Sequence, residues 1–433
     1  MKSMENINLE EQKLRAIIVS VDDGQNPDFE YMIDEMKRLV EACDMEVAGV
    51  LIQPLSNPNP ATYLGSGKIQ ELKLQTEILE ADYCIIADNL SPAQLKNLTD
   101  GVDTAVLDRT GLILEIFARR AKTREARLQV ESANLTYLLP RLIGMRTSLG
   151  RQAGASGSLS NKGQGEKQLE LDRRHIERRI VEVNRELASI EHDRDVQKSL
   201  RKKNNIPCVA MVGYTNAGKS TLMNHLLADN NTDEEKLVFE KDMLFATLDT
   251  TIRRIECPDN KSFLLSDTVG FVSNLPHNLV KAFRTTLSEA CMADLLLIVL
   301  DASDKYVKEQ RLVTESTLRE LKCDNIPRIY VYNKCDRLPS VPFSDSPNEL
   351  REYVSARTGM GLARLIDDIK FLLFKDNEII QTVIPYSEGA LLNTLKIEAN
   401  VLTMEYREDG IFVEADVSPK IKGKLLSKNL SIL

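Results

Sequence analysis

The chain of 433 residues is too long for one ordinary core and predicts roughly three folded units. Its hydrophobic fraction of 42% and charged fraction of 28% are typical of a globular protein and exclude a disordered or fibrous one. Because no apolar run approaches the roughly 18 to 20 residues of a membrane span, and residues 1–11 lack the apolar core of a secretory signal, we expect a cytosolic protein with no membrane span and at most a loose membrane association.

Residues 1–110 alternate strand-like and helix-like stretches. Short apolar strands are predicted at residues 15–21, 46–52, 83–87 and 104–107. Helical spacing predicts helices at residues 29–43, 68–80 and 92–98. This alternation favours a small α/β domain with a largely parallel sheet.

Two long helices are predicted within residues 111–205. The first runs over residues 111–139, where Pro140 marks a stop or a kink. The second runs over residues 166–203 and carries an apolar seam formed by Ile176, Ile180, Val183, Leu187 and Ile190. We expect the two helices to pair as an antiparallel hairpin. Residues 144–165, rich in Gly and Ser, are expected to form a flexible, functional loop at its tip.

The charge distribution is uneven. A net charge of −9 argues against a nucleic-acid partner, because phosphate binding needs clustered cations. Residues 113–151 reverse this balance, since only Glu115, Glu125 and Glu131 oppose their cations. Those cations are Arg119, Arg120, Lys122, Arg124, Arg127, Arg141, Arg146 and Arg151. The hairpin is therefore a candidate RNA-binding surface.

The seven cysteines lie far apart in the sequence, without a C-x-x-C pair, and the four histidines are scattered likewise. This spacing predicts neither a disulfide framework nor a zinc site. Most of the cysteines fall in apolar stretches, so we expect them to be small buried hydrophobic side chains.

A phosphate-binding loop is predicted where the apolar strand 207–212 runs into GYTNAGKS and then into a helix at residues 219–227. Backbone amides of this loop are expected to hold the phosphates, Lys219 to reach the β and γ phosphates, and Ser220 to bind magnesium. The binding candidates are Gly213, Tyr214, Thr215, Asn216, Ala217, Gly218, Lys219, Ser220 and Thr221. GSGK at residues 65–68 lacks the full loop length and the hydroxyl after the lysine, so we interpret it as a turn before a helix.

DTVG at residues 267–270 follows the apolar strand 263–265. Asp267 is therefore expected to hold magnesium, and Gly270 to offer its amide to the γ-phosphate during catalysis. Between the two motifs, the segment DMLFATLDTT supplies three candidate switch threonines, Thr247, Thr250 and Thr251. Their spacing alone does not choose among them.

Guanine specificity is predicted by NKCD at residues 333–336, after the strand 328–332. The carboxylate of Asp336 can accept from N1 and from the 2-amino group of guanine, whereas adenine lacks that amine. Asn333 and Lys334 belong to the same motif, and Ser355 and Ala356 end another strand beside the expected base. Together the four motifs predict a magnesium-dependent GTPase domain at residues 206–374.

Residues 375–433 predict a small α+β domain, with a strand, a helix at 388–402, a hairpin around Asp409 and Gly410, and a short basic helix.

These motifs resemble translation-factor-class GTPases, and the flanking sequence is similar to the HflX family. The resemblance rests on residues 59–72 (NPATYLGSGKIQEL), residues 108–142, GYTNAGKSTLMN, FATLD and DTVGF, and it runs through most of the chain. It implies an N-terminal α/β domain with a helical hairpin, a GTPase domain and a small C-terminal domain. It also implies a cytosolic protein, expected to be monomeric, that binds the large ribosomal subunit and splits or rescues stalled or idle ribosomes. Within FATLD the resemblance selects Thr247 as the switch threonine for magnesium and catalysis.

The chain departs from the family pattern at two places. The hairpin loop has SNKGQGE in place of a G-x-G-T-R-G-P-G-E-like run, and the usual proline after LD is Thr250. Two other functions stay open: a ribosome-assembly GTPase, and a non-ribosomal adaptor that uses GTP to expose a protein-binding surface. In the adaptor, the basic hairpin is only a solvated helical face.

Overall fold

The computed structural model describes residues 13–152, 159–204, 206–228, 244–245, 250–273, 290–340 and 349–428. Two compact units are distinguished. The first comprises Met1–Arg194, Asp242–Asp249 and Asn274–Arg284. The second comprises Asp195–Lys241, Thr250–Ser273 and Thr285–Leu433. Across the described part of the chain, no helix combines the length and apolarity needed to cross a membrane.

The N-terminal sheet is four-stranded, parallel throughout, with the order β2-β1-β3-β4. Its strands are β1 (Arg15–Asp22), β2 (Glu46–Pro54), β3 (Tyr83–Ile86) and β4 (Ala105–Asp108). The connecting helices are α1 (Phe29–Ala42), α2 (Ser66–Ile78) and α3 (Pro92–Val102). This architecture confirms the predicted α/β fold with a parallel sheet. Gly65 is the residue before α2, so GSGK forms the first turn of that helix, where a turn before the helix was predicted.

The long helices differ from their predicted bounds. The predicted first helix is two helices, α4 (Arg109–Arg120) and α5 (Arg124–Gln152), and α5 continues through Pro140. α4 begins at the fully buried Asp108, whose Oδ1 accepts from Gly111 N at 2.8 Å and from Tyr137 Oη at 2.7 Å. Arg141 donates to the other oxygen of Asp108 at 2.7 Å. These bonds hold α5 on both sides of Pro140, so the helix continues through the proline.

Much of the predicted loop at residues 144–165 is helical in the structure. α5 extends to Gln152, and α6 (Leu159–Asn204) begins within the predicted loop. Gly and Ser disfavour helix weakly, and extending an existing helix is easier than nucleating one, so both long helices continue into this segment. Residues 153–158 and the side chains of Arg146, Arg151 and Lys162 lie outside the described part of the chain.

The second unit contains a six-stranded sheet with the order β10-β9-β8-β5-β7-β6. The strands are β5 (Cys208–Gly213), β6 (Thr251–Glu256), β7 (Ser262–Asp267), β8 (Leu295–Asp301), β9 (Arg328–Asn333) and β10 (Arg351–Tyr353). All neighbours are parallel except β6 and β7. The helices α7 (Lys219–Ala228), α8 (Val307–Glu320) and α9 (Leu362–Leu373) belong to the same domain. Because β5, β7, β8 and β9 are parallel neighbours, the motifs that follow them meet at one edge of the sheet.

The C-terminal domain is a three-stranded antiparallel sheet with two helices, which confirms the predicted α+β class. Its elements are β11 (Glu378–Ile384), α10 (Gly389–Glu398), β12 (Asn400–Arg407), β13 (Gly410–Val417) and α11 (Pro419–Ser427), and the sheet order is β11-β13-β12. The predicted hairpin around Asp409 and Gly410 joins β12 to β13. The helix α10 ends before residue 402 because β12 already pairs with β13 from Asn400.

The expectation that the cysteines form no disulfide is wrong at one place. Cys291 and Cys323 are bonded, with their Cα atoms 5.0 Å apart and a separation of 32 positions in sequence. Cys291 lies just before β8, and Cys323 follows α8. Sequence spacing did not indicate the pair because only the packing of α8 beside β8 brings these positions together. Cys43, Cys84, Cys257 and Cys335 are buried as expected.

Candidate GTPase site

The loop between β5 and α7 has a backbone that few residues could adopt. Gly213 has φ of +153°, and a Cβ atom there would lie 2.1 Å from the carbonyl oxygen of Val299. Gly218 has φ of +89°, and its Cβ would lie 2.3 Å from Asn333 Nδ2. Only glycine fits at both positions. Ser220 and Thr221 follow in the first turn of α7, whose amide groups and positive dipole favour an anion.

Lys219 is held under this loop. Its Nζ donates to the carbonyl oxygens of Tyr214 at 2.9 Å and Gly213 at 3.2 Å. The side chain is only 6% exposed, and burial lowers the pKa of its ammonium group to about 8, with a partial opposing effect from Asp267. The loop's own carbonyls therefore orient a desolvated cation.

Hard oxygen ligands meet at the end of β7. The hydroxyl of Ser220 donates to Asp267 Oδ2 at 2.6 Å, and Asp267 is fully buried. A hydroxyl and a carboxylate this close are the ligand types that Mg²⁺ prefers. The pair therefore fits a magnesium ion. Thr247, the other predicted magnesium ligand, lies outside the described residues.

The DTVG segment lies directly against the phosphate-binding loop. A Cβ atom on Gly270 would lie 2.7 Å from Thr215 Cα, so only glycine allows this approach. The next residue, Phe271, is 1% exposed, and its backbone exchanges hydrogen bonds with the loop. Its amide donates to Gly213 O at 3.0 Å, and its carbonyl accepts from Thr215 N at 2.8 Å.

The predicted base-recognition residues converge on the loop from the other side. Asn333 donates to Ala217 O at 2.8 Å and accepts from Ala356 N at 2.9 Å. Ser355 donates its hydroxyl to Asp336 Oδ1 at 2.7 Å, and this bond lowers the pKa of the Asp336 carboxyl. Asp336 itself is exposed, so its carboxylate is accessible to a ligand.

Lys334 is bonded to a residue that sequence reasoning missed. Its Nζ donates to Asn216 O at 2.7 Å and pairs with Asp301 Oδ2 at 2.8 Å. Asn216 and Lys334 both have φ of +63°. Asp301 ends the apolar strand β8, which lies between β5 and β9 in the sheet. An acidic residue at the end of such a strand was the sequence signal that could have identified this partner. The structure brings together every predicted site residue except Thr247, which it does not describe.

Four features meet at one edge of the sheet: a loop that begins and ends with glycine after a central strand, a buried lysine, a serine–aspartate pair and an Asn-Lys-x-Asp group. Together they define a P-loop GTPase. Three family models match the chain. They are described as GTP-binding GTPase N-terminal over residues 30–118, GTP-binding GTPase Middle Region over residues 120–201, and 50S ribosome-binding GTPase over residues 208–334.

The chain belongs to the HflX family of GTPases. It is 43% identical to GTPase HflX of Caldanaerobacter subterraneus subsp. tengcongensis, over 96% of this chain and 94% of that protein. It is 39% identical to GTPase HflX of Escherichia coli, over 87% of each. A GTP-binding protein of Sulfolobus solfataricus, solved in complex with GDP, is 27% identical with a TM-score of 0.45, over 84% of this chain and 99% of that one. As a member of this family, the chain is an enzyme that binds GTP and hydrolyses it to GDP and phosphate.

Proposed function

We propose that this GTPase is a switch that binds the large ribosomal subunit, acts as a monomer in the cytosol, and splits or rescues stalled or idle ribosomes. The match of residues 208–334 to a model described as 50S ribosome-binding GTPase carries this proposal. The exposed basic surface of the hairpin supports it.

The phosphates are held by the loop from Gly213 to Gly218 and by the first turn of α7. The Lys219 ammonium, already oriented by two loop carbonyls, neutralises charge on the β and γ phosphates. Gly270 offers its amide to the γ-phosphate. The close approach of Gly270 to Thr215 supports this role, because it places the DTVG backbone beside the phosphate cradle.

Ser220 and Asp267 would hold magnesium, with Thr247 as the switch ligand. When bound, the ion neutralises the charge that develops on the phosphate oxygens. Asp267 lies at 0% exposure, so its carboxylate is kept from water and ready for a cation. The hydroxyl of Ser220 fixes which way that carboxylate points.

Guanine is selected by Asp336. The Ser355 hydroxyl lowers the pKa of this carboxyl, and the ionised carboxylate can accept two hydrogen bonds from N1 and the 2-amino group of guanine. Asn333 and Lys334 connect the base-recognition strand to the phosphate loop through Ala217 O and Asn216 O. Bases and phosphates are thereby recognised by one connected network.

Hydrolysis is slow without a partner. Many related GTPases place a glutamine after the DxxG glycine to orient the attacking water, and here that position is Phe271. Phenylalanine offers no hydrogen bond to water, and its ring is buried. Docking on the large subunit reorganises the switches or supplies the missing group.

The basic hairpin is the proposed contact with ribosomal RNA, but its cations are not equivalent. Arg141 is a structural residue because it pairs with the fully buried Asp108 at 2.7 Å. Arg119 pairs with Glu115 at 2.9 Å. Lys122, Arg124 and Arg127 are exposed, and they form the surface that we call the hairpin cations. Arg124 is 77% exposed even though it pairs with Glu186, and such exposed pairs contribute little to stability.

Salt-dependent co-sedimentation with large subunits tests the proposal. Reversal of the hairpin cations to glutamate should weaken binding, and the slope of log affinity against log salt should fall by about one for each phosphate that is no longer neutralised. GTP binding by the free protein should not change. The matched control reverses Lys420, Lys422 and Lys424 on α11, which changes the net charge by the same amount.

Gradient sedimentation of intact ribosomes then separates the alternatives. A switch that splits ribosomes converts them to subunits in the presence of GTP. An assembly GTPase binds large subunits but leaves intact ribosomes unsplit. A non-ribosomal adaptor binds neither, and the hairpin-cation variant then behaves as the wild type does.

A further inference from the structure

The phosphate-binding loop and the segment after DTVG form a small extension of the central sheet. β5 pairs with β7 in parallel from Cys208 opposite Leu264 to Met211 opposite Asp267. Beyond β7 the pairing resumes as a bridge between Tyr214 and Phe271. The segment after DTVG is therefore registered against the loop by backbone hydrogen bonds.

A side chain adds to this registration. Tyr214 is 3% exposed, and its Oη accepts a hydrogen bond from the backbone N–H of Ser273 at 2.8 Å. The same hydroxyl lies 3.3 Å from Ser273 Oγ. The backbone of Phe271 is thus held by Gly213 and Thr215, and the backbone of Ser273 is held by the phenol of Tyr214. Between this anchored stretch and β7 stands Gly270.

We propose that Tyr214 is a positioning residue for GTP hydrolysis. The Tyr214 hydroxyl fixes Ser273. Because only two residues separate Ser273 from Gly270, this also holds Gly270 where the Gly270 amide can contact the γ-phosphate. The inference rests on the role proposed above for Gly270. Tyr214 then has two roles: its backbone belongs to the phosphate-binding loop, and its side chain positions the segment after DTVG.

A comparison of GTP binding with GDP binding distinguishes this role from a merely structural one. GDP lacks the phosphate that Gly270 contacts, so loss of the positioning should leave GDP binding intact. GTP binding and the rate of the chemical step should both suffer, since a displaced donor stabilises the developing charge less well.

The test is Tyr214→Phe in the full chain, which keeps the ring and removes the acceptor for Ser273 N–H. We expect single-turnover hydrolysis without ribosomes to slow by about tenfold and the affinity for a slowly hydrolysed GTP analogue to fall several-fold. The affinity for GDP should stay within about twofold of the wild type, because the neutral hydrogen bonds to Ser273 that are removed lie outside the GDP contacts. Tyr330→Phe is the matched control, because Tyr330 is also buried and donates its hydroxyl to Glu315 at 2.9 Å, away from the loop.

Two further variants make the outcome decisive. Ser273→Ala keeps the backbone donor and should remain closer to the wild type than Tyr214→Phe. Gly270→Ala should lose hydrolysis and the preference for the GTP analogue. If Gly270→Ala loses them and Tyr214→Phe does not, the role of Tyr214 is overturned. Equal losses of GDP and GTP affinity in Tyr214→Phe also overturn it, since they indicate a damaged cradle. If Gly270→Ala hydrolyses normally, the proposed role of Gly270 falls, and the inference falls with it.

Discussion

The rings of Phe117 and Phe245 meet edge to face, with their centroids 4.6 Å apart and their planes at 78°. Each ring is 2% exposed. Phe117 lies near the end of α4, and Phe245 begins FATLD, the motif with the candidate switch threonine Thr247, which we call the first switch. Both belong to the same compact unit, so Phe245 packs with the N-terminal part of the chain.

This contact predicts that the N-terminal unit restrains the first switch. Phe117→Ala should remove the edge contact, and a buried aromatic pair of this kind contributes about 0.5 to 1.5 kcal/mol beyond its burial. Backbone amide hydrogen exchange at Leu244 and Phe245 should therefore become faster. Mass spectrometry of the peptide that contains Phe245 measures the change.

Phe245→Ala should have the same effect, and the double variant should add little to either single change. Phe412→Ala in the C-terminal domain is a control that removes a ring outside this contact. Unaltered exchange in Phe117→Ala would show that the contact does not hold the switch segment.

Base selection gives a second prediction, based on Asp336. Asp336→Asn should weaken GTP binding by about tenfold or more, because an ionised acceptor of two hydrogen bonds is replaced by a neutral amide. Xanthine carries an oxygen in place of the 2-amino group, so the variant should favour xanthine nucleotides. Competition binding with labelled GDP measures both affinities.

Ser355→Ala is the control for this exchange. It removes the hydroxyl that donates to Asp336 but keeps the carboxylate, so guanine binding should weaken without any gain in xanthine binding. A guanine preference that survives Asp336→Asn contradicts the assignment.

Lys219 predicts a pH dependence of nucleotide binding. Burial holds the pKa of its ammonium at about 8 in the free protein, below the ordinary value for lysine. Bound phosphates favour the charged form, so the pKa rises in the complex. Below about pH 8 the lysine is charged in both states and affinity is constant. Above about pH 8 binding requires proton uptake, and affinity should fall by up to about tenfold per pH unit.

Titration of a fluorescent GDP analogue from about pH 7 to about pH 9 spans this pKa and measures the slope. Lys219→Arg is the control, because arginine stays charged throughout this range. Any fall in affinity that comes from ionisation of guanine itself should appear equally in this variant. An equally steep fall in Lys219→Arg would remove Lys219 as the cause.

Local signals predicted the GTPase sheet and most of the site. Each motif follows an apolar strand, and parallel neighbours bring the ends of those strands to one edge, so the meeting of Lys219, Asp267 and Asn333 could be inferred before the structure was known. The small C-terminal hairpin was predicted for a similar reason, because Asp-Gly is a strong turn signal.

Contacts between distant segments could not be predicted in this way. The pairing of Asp301 with Lys334, the Cys291–Cys323 bond and the contact of Phe117 with Phe245 each depend on packing between elements far apart in sequence. The passage of α5 through Pro140 also depends on such packing, because Arg141 and Tyr137 reach Asp108 from the helix. Proline alone predicts a break there.

The last prediction concerns the rate of hydrolysis. Phe271 occupies the position of the water-orienting glutamine, and its buried ring cannot hydrogen-bond to water. The basal rate should therefore be low, and purified large subunits should stimulate it strongly. Phe271→Ala should leave the low basal rate nearly unchanged, because the phenylalanine ring does not orient the attacking water.

Steady-state phosphate release with and without subunits tests this mechanism. Lys219→Ala should abolish release in both conditions, which excludes a contaminating phosphatase, and thermal denaturation of Phe271→Ala checks that loss of the buried ring has not unfolded the domain. If the wild type releases phosphate quickly without subunits and Lys219→Ala does not, another residue already orients the water. Hydrolysis is then intrinsic to the chain, and the ribosome cannot be what gates it.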